Sequence, residues 1–124
     1  MFNKSLYDIE KLVGETFVSI SGMRKHSEAV YIELSNGDIV TMEHPNTFSN
    51  VAIDDVCGDV EDLLNTPILK AEVITDTSDK RCTWTFYKFM TEKGWVDVRW
   101  CGTSNGYYSE TCSIYIIKKN ETVD

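Results

Sequence analysis

Apolar residues recur mostly at every second position along this chain, the period of a β-strand with one buried face. Thr16 to Ser21 alternates with Val18 and Ile20 on one side, and Glu28 to Leu34 alternates with Val30, Ile32 and Leu34. Ser35-Asn36-Gly37-Asp38 then interrupts the pattern, and Asn-Gly between two alternating runs is a strong hairpin signal. Ile39 to Glu43 is the returning strand. His44 to Asn50 reads as a loop, Val51 to Ile53 as a short strand and Ile68 to Thr75 as a longer one. The last strand runs from about Ser109 to Ile117, with Cys112, Ile114 and Ile116 sharing a face.

Two segments break the alternation. Leu6, Ile9 and Val13 stand at helical spacing, Ser5 and Asp8 form an imperfect capping box, and Gly14 is placed to end a helix. Asp59 to Leu64 opens with acids that complement a helix dipole and offers Val60, Leu63 and Leu64 for docking, with Pro67 beyond. The expected fold is therefore α+β. It is a single domain over residues 1–124, built on a curved, mainly antiparallel sheet with two short helices and a flexible tail at 118–124.

The densest pattern is Thr83-Trp84-Thr85-Phe86-Tyr87-Lys88-Phe89, followed after a turn at Thr91 to Gly94 by Trp95-Val96-Asp97-Val98-Arg99-Trp100. One face of its first strand carries Trp84 and Phe86, the other Tyr87 and Phe89. One of these faces meets the core. The other needs a cover, from within the chain or from another molecule. Trp95, Arg99 and Trp100 are candidate anchors, since Trp and Arg contribute disproportionately to interfaces.

At 124 residues with a net charge of −8, the chain is long enough to fold without a metal or disulfide. The placement of charge matters more than its sum. No Lys or Arg lies between Glu43 and Lys70, while Asp54, Asp55, Asp59, Glu61 and Asp62 do. Such a field repels phosphates and draws basic protein surfaces, which argues against direct nucleic-acid binding. No run approaches the roughly 20 apolar residues of a membrane span, and Met1 to Ser5 has no signal-peptide core, so the expected location is a cytoplasm. Cys57, Cys82, Cys101 and Cys112 lack the spacing of a zinc site and read there as reduced thiols, with no metal or other cofactor expected.

The chain contains no G-x-S-x-G, H-E-x-x-H or Walker-type loop. His26 reads as a solvated loop residue. His44, with Asp54 or Asp55 as partner, is the one acid–base pairing the sequence offers.

Gly58-Asp59-Val60-Glu61-Asp62-Leu63, Thr66-Pro67-Ile68-Leu69, Thr83 to Phe89, Gly94 to Trp100 and Ser104-Asn105-Gly106-Tyr107-Tyr108-Ser109-Glu110 together resemble the signature of a small domain family common in bacteriophages and other mobile elements. The likeness covers about residues 37–117. No reaction is assigned to that family, so the resemblance implies a setting, an accessory protein acting on a host system, rather than a chemistry. Relatives often carry adjacent cysteines after the histidine matching His44, where this chain has Phe48-Ser49.

Two classes of function follow. The first is a phage-type inhibitor or modulator, in host cytoplasm, that binds a host protein with a basic surface. It would use Asp54, Asp55, Asp59, Glu61 and Asp62 for steering and Trp95, Arg99 and Trp100 for anchoring, in the manner of a nucleic-acid mimic directed at a defence effector. The second is a module that captures a small ligand such as a nucleotide signal. Lys88, Arg99, Asn105, Tyr107 and Tyr108 would line its pocket, with a homodimer interface as one place for it. Neither class requires catalysis.

Overall fold

The alternating runs form strands, and most of them bury the face their apolar residues mark. In the computed structural model, which describes residues 4–45, 48–106 and 109–119, the order is β1 (Lys4–Leu6), β2 (Phe17–Ser21), β3 (Ala29–Leu34), β4 (Ile39–Glu43), β5 (Asn50–Cys57), β6 (Lys70–Asp76), β7 (Thr83–Thr91), β8 (Gly94–Thr103) and β9 (Ser113–Ile117). Val30, Ile32 and Leu34 of β3 are buried, as are Cys112, Ile114 and Ile116 leading into and along β9. The Asn36–Gly37 turn joins β3 to β4; there Gly37 takes a φ of 93°, and Asp38 receives its backbone hydrogen bond from the Leu34 side of the turn.

The strands make two antiparallel sheets rather than one curved sheet. The first is ordered β1-β9-β4-β3-β2 and the second β5-β8-β7-β6. Their inner faces share one core, in which Val30, Ile32, Val40, Met42 and Ile116 of the first sheet meet Ile53, Phe89, Val96, Val98 and Trp100 of the second. This is the layering of a β-sandwich. Phe17 and Phe89 meet edge to face across it, with ring centroids 6.1 Å apart. The Cys112 thiol donates to the Tyr87 hydroxyl at 3.3 Å across the same gap. Burial pushes Cys112 up to about 12 and raises the Tyr87 phenol as well.

The α+β expectation is overturned: the fold is all-β. Each segment read as an α-helix is a single 3-10 turn, Ile9–Leu12 and Val60–Leu63. In a 3-10 turn residues i and i+3 eclipse, so Ile9 and Leu12 both reach the core. Leu6 lies in β1 and is exposed, as is Val13, so the three-residue helical stripe does not form. Asp8, not Ser5, caps the first turn, accepting from the Glu10 N–H at 3.0 Å. Asp59 caps the second in the same way through Glu61. That turn ends before Pro67, with Asn65 in the left-handed region at φ 63°.

Smaller corrections follow from bulges and ties. The register of β2 shifts between Phe17 and Ser19, which turns Phe17 inward and leaves Val18 exposed. β5 is longer than expected because Cys57 still pairs with Asp97. His26, at φ 73°, gives its N–H to the Ile53 carbonyl at 2.7 Å, and Ile53 returns a bond to Ser27, which ties the β2–β3 connection to β5. Lys118 and Lys119, expected to begin the free tail, are held by Asp38: the Lys119 N–H donates to its carboxylate at 2.8 Å. Residues 120–124 lie outside the described residues. Among the described residues no helix is long and apolar enough to cross a membrane.

Candidate functional site

Register fixes what the outer face of the second sheet presents. Thr91 pairs with Gly94 at the β7–β8 turn, so alternate residues fall on opposite faces from there back along both strands. Thr83, Thr85, Tyr87 and Phe89 of β7 turn inward, and Trp84, Phe86, Lys88 and Met90 turn outward. On β8, Val96, Val98 and Trp100 are inside, while Trp95, Asp97, Arg99 and Cys101 are outside. β6 adds Lys70, Glu72, Ile74 and Asp76, each opposite an outward residue of β7. β5 adds Asp55 and Cys57 opposite Arg99 and Asp97, with Asp54 at the register shift beside them.

The result is an apolar band crossed by ion pairs. Trp95 is 59% exposed and Ile74 50%. Phe86 and Trp84 are half-buried. The three cations of the face already have acids: Lys70 with Glu72 at 3.4 Å, Lys88 with Asp97 at 3.6 Å, and Arg99 with Asp54 through Nε at 3.0 Å. Arg99 also stacks over the Trp84 ring, 5.1 Å from its centroid. Asp55 and Asp76 on the face have no ion pair among the described residues, nor do Asp59, Glu61 and Asp62 on the adjoining turn. The band is therefore flanked by surplus negative charge.

Trp95 stands between two hollows. One, of about 230 Å³, is lined by Lys70, Glu72, Lys88, Phe89, Met90, Trp95 and Asp97. The other is lined by Cys57, Gly58, Asp59, Asp62, Gly94 and Trp95. Gly58 is needed where it stands, because at φ 106° a Cβ would lie 2.4 Å from the Trp95 carbonyl oxygen.

The residues expected to bind a partner divide accordingly. Asp54, Asp55, Trp95 and Arg99 share the outer face, and Asp59 and Asp62 line the hollow beside Trp95. Glu61 is exposed on the same turn. Asp59 also has a structural task as a cap, and the Asp62 carbonyl accepts from the Thr91 hydroxyl. Trp100 does not belong to the set: it is 1% exposed, because it is one residue out of phase with Arg99 and points into the core.

The residues expected to line a ligand pocket are not brought together. Lys88 borders the hollow of about 230 Å³ while Arg99 lies beside Phe86, Asp97, Asp55 and Cys57 in a smaller one. Asn105 is exposed after β8 and lines neither. Tyr107 and Tyr108 lie outside the described residues. The acid–base partners expected for His44 lie elsewhere: Asp54 pairs with Arg99, and Asp55 borders the hollow beside Arg99. His44 lies in a separate hollow with Glu28, Glu43 and Ser49, and one ring nitrogen is 2.9 Å from the Thr111 carbonyl oxygen.

The sequence reading passed over Ile74, Met90, Glu72 and Lys70. Their signal is the pairing of β6 with β7, which matches even-numbered residues with even-numbered ones and sets them beside Trp84 and Phe86.

No curated protein and no solved structure matches the chain. A family model described as a domain of unknown function, DUF7448, matches residues 10–114, and the chain belongs to that family.

Proposed function

We propose that this is a non-catalytic docking domain whose outer second-sheet face binds a protein with a basic, partly apolar surface. One observation carries the reading: the outward band of exposed Trp95, Met90 and Ile74 around half-buried Phe86 has acids on its flanks that no cation of the face neutralises. An apolar centre with a charged rim is the common anatomy of a binding patch. Unpaired acids speed encounter with a basic partner. The likeness to proteins of phages and mobile elements supplies the setting, inhibition or modulation of a host protein in the host cytoplasm.

The small-ligand reading is the weaker of the two. Lys70 and Lys88 border a hollow of about 230 Å³, below the roughly 300–1,000 Å³ usual for small-molecule sites. Both lysines are also paired with acids, which leaves little positive charge for a phosphate.

The test compares immobilised wild-type protein with Trp95→Ser in a bacterial lysate, at low and high salt. A protein retained by wild type at low salt, reduced at high salt and lost with Trp95→Ser supports the reading. Identical recoveries from both proteins would remove the face from consideration.

A further inference from the structure

Four strands stand at sheet edges: β1 and β2 in the first sheet, β5 and β6 in the second. A sheet edge presents unpaired N–H and C=O groups that another chain can pair with, unless the edge is short, bent or covered. Three of the four are protected in this way. β1 has only three residues. β2 is bulged between Phe17 and Ser19. β5 is bulged between Ile53 and Asp55, and Ile53 exchanges backbone bonds with His26 and Ser27.

β6 has none of these devices. Its seven residues, Lys70–Asp76, pair with β7 without a register shift. Ile68, just before it, gives its N–H to Glu15 and accepts one from Gly14, but among the described residues nothing pairs with the free edge from Lys70 onward. The Ile9–Leu12 turn packs beside β6, yet Ala71 is the strand's one buried residue. Val73 is 43% exposed and Ile74 50%, on opposite faces. The strand's one cation, Lys70, stands at its start, and Asp76, which has no ion pair among the described residues, stands at its end.

We infer that β6 pairs antiparallel with β6 of a second copy of this chain, joining two four-stranded sheets into one of eight. The charge pattern selects this occupant and sets its register. Each face of the joined sheet is continuous when one residue stands opposite its own counterpart on the two-fold axis. With Val73 on the axis, Lys70 of each copy falls opposite Asp76 of the other, Glu72 opposite Ile74, and Ala71 opposite Thr75. With Glu72 on the axis, two Glu72 carboxylates face each other; with Ile74 there, Glu72 faces Asp76. Registers centred further out pair only a short end of the strand. The Val73 register alone aligns the whole strand and sets opposite charges together. The Lys70–Glu72 pair, exposed on both sides, is weak enough for Lys70 to turn to a second acid.

Sedimentation equilibrium of the intact chain over a wide concentration range, at low and high salt, tests this. A reversible monomer–dimer equilibrium, weaker at high salt, is expected. Val73→Lys sets two like charges on the axis and should raise the dissociation constant at least roughly tenfold. Lys70→Asp and Asp76→Lys should each weaken the dimer, and the two combined should restore it, a rescue that damage to the monomer would not give. The charge exchange decides the matter should Val73→Lys fail to fold. Trp95→Ser should leave the dimer intact. A monomer at every concentration, a dimer indifferent to Val73→Lys, a dimer lost with Trp95→Ser, or no rescue by the exchanged charges would overturn the inference. None of these outcomes depends on a docking partner.

Discussion

Arg99 and Asp54 meet across the β5–β8 pair, where the guanidinium gives both Nε and Nη2 to a single carboxylate oxygen. Both side chains remain more than a third exposed, so water screens the pair and its coupling belongs to the surface range of about 0.2–1 kcal/mol. A double-mutant cycle with Asp54→Asn and Arg99→Ala, read by urea unfolding, should return a coupling energy under about 1 kcal/mol. A larger value would mean the pair is sealed from solvent.

Trp95 and Trp100 are five residues apart on one strand and face opposite ways. Trp100→Ala removes a ring that is 1% exposed and should cost about 3–5 kcal/mol. Trp95→Ala should change stability by no more than about 0.5 kcal/mol while abolishing retention of a partner. Denaturant midpoints of the two variants, measured alongside wild type, check the contrast.

Gly102 is crowded by backbone rather than by a flexible side chain. A Cβ there would sit 1.8 Å from the Glu110 carbonyl oxygen, so Gly102→Ala must push the Glu110 segment off the end of β8. The expected loss is about 1–3 kcal/mol or more, as for overpacking elsewhere. Gly106→Ala is a control for space, since no atom lies within 4 Å, though its φ of 98° still disfavours a side chain.

Stability should fall in acid through two carboxylates, Asp79 on the β6–β7 connection and Glu110 on the β8–β9 connection. Ser104 and then Thr83 donate to Glu110, at 2.6 and 2.7 Å, and hold its carboxyl below the usual range. The Arg81 side chain, then the Arg81 N–H, then the Trp84 indole hold Asp79 down at about 2. Depressed folded values mean that the contribution is complete above the unfolded carboxylate range and disappears as pH falls through the folded values. The melting temperature should therefore decline from about pH 4 toward pH 2, and Glu110→Gln should remove part of that slope. A melting profile in Glu110→Gln as steep as wild type would exclude Glu110 as a contributor.

Much of the second sheet was legible in the chain. Strict alternation from Trp84 to Phe89 and from Trp95 to Trp100, with a turn between, admits only a hairpin, and it separated Trp84 and Phe86 from Tyr87 and Phe89 correctly. Alternation does not say which face is inside when both are bulky, but it does set Trp100 opposite Trp95 and Arg99, so the three anchors named from the sequence cannot share one face. The two supposed helices fail on length. Ile9 with Leu12, and Val60 with Leu63, satisfy helical and 3-10 spacing alike, and each turn closes after four residues, too few for two α-turns. β1 was invisible because three residues with one exposed leucine carry no period; its place comes from pairing with β9.

Lys4 and Ile117 are register partners at the margin of the first sheet. The described polypeptide thus enters and leaves the molecule at neighbouring points, on the layer turned away from Trp95. A fluorophore, affinity handle or tandem copy attached at either extremity would leave Trp95 and its neighbours unobstructed, and joining the two extremities by a short linker would permit new openings elsewhere without disturbing that layer.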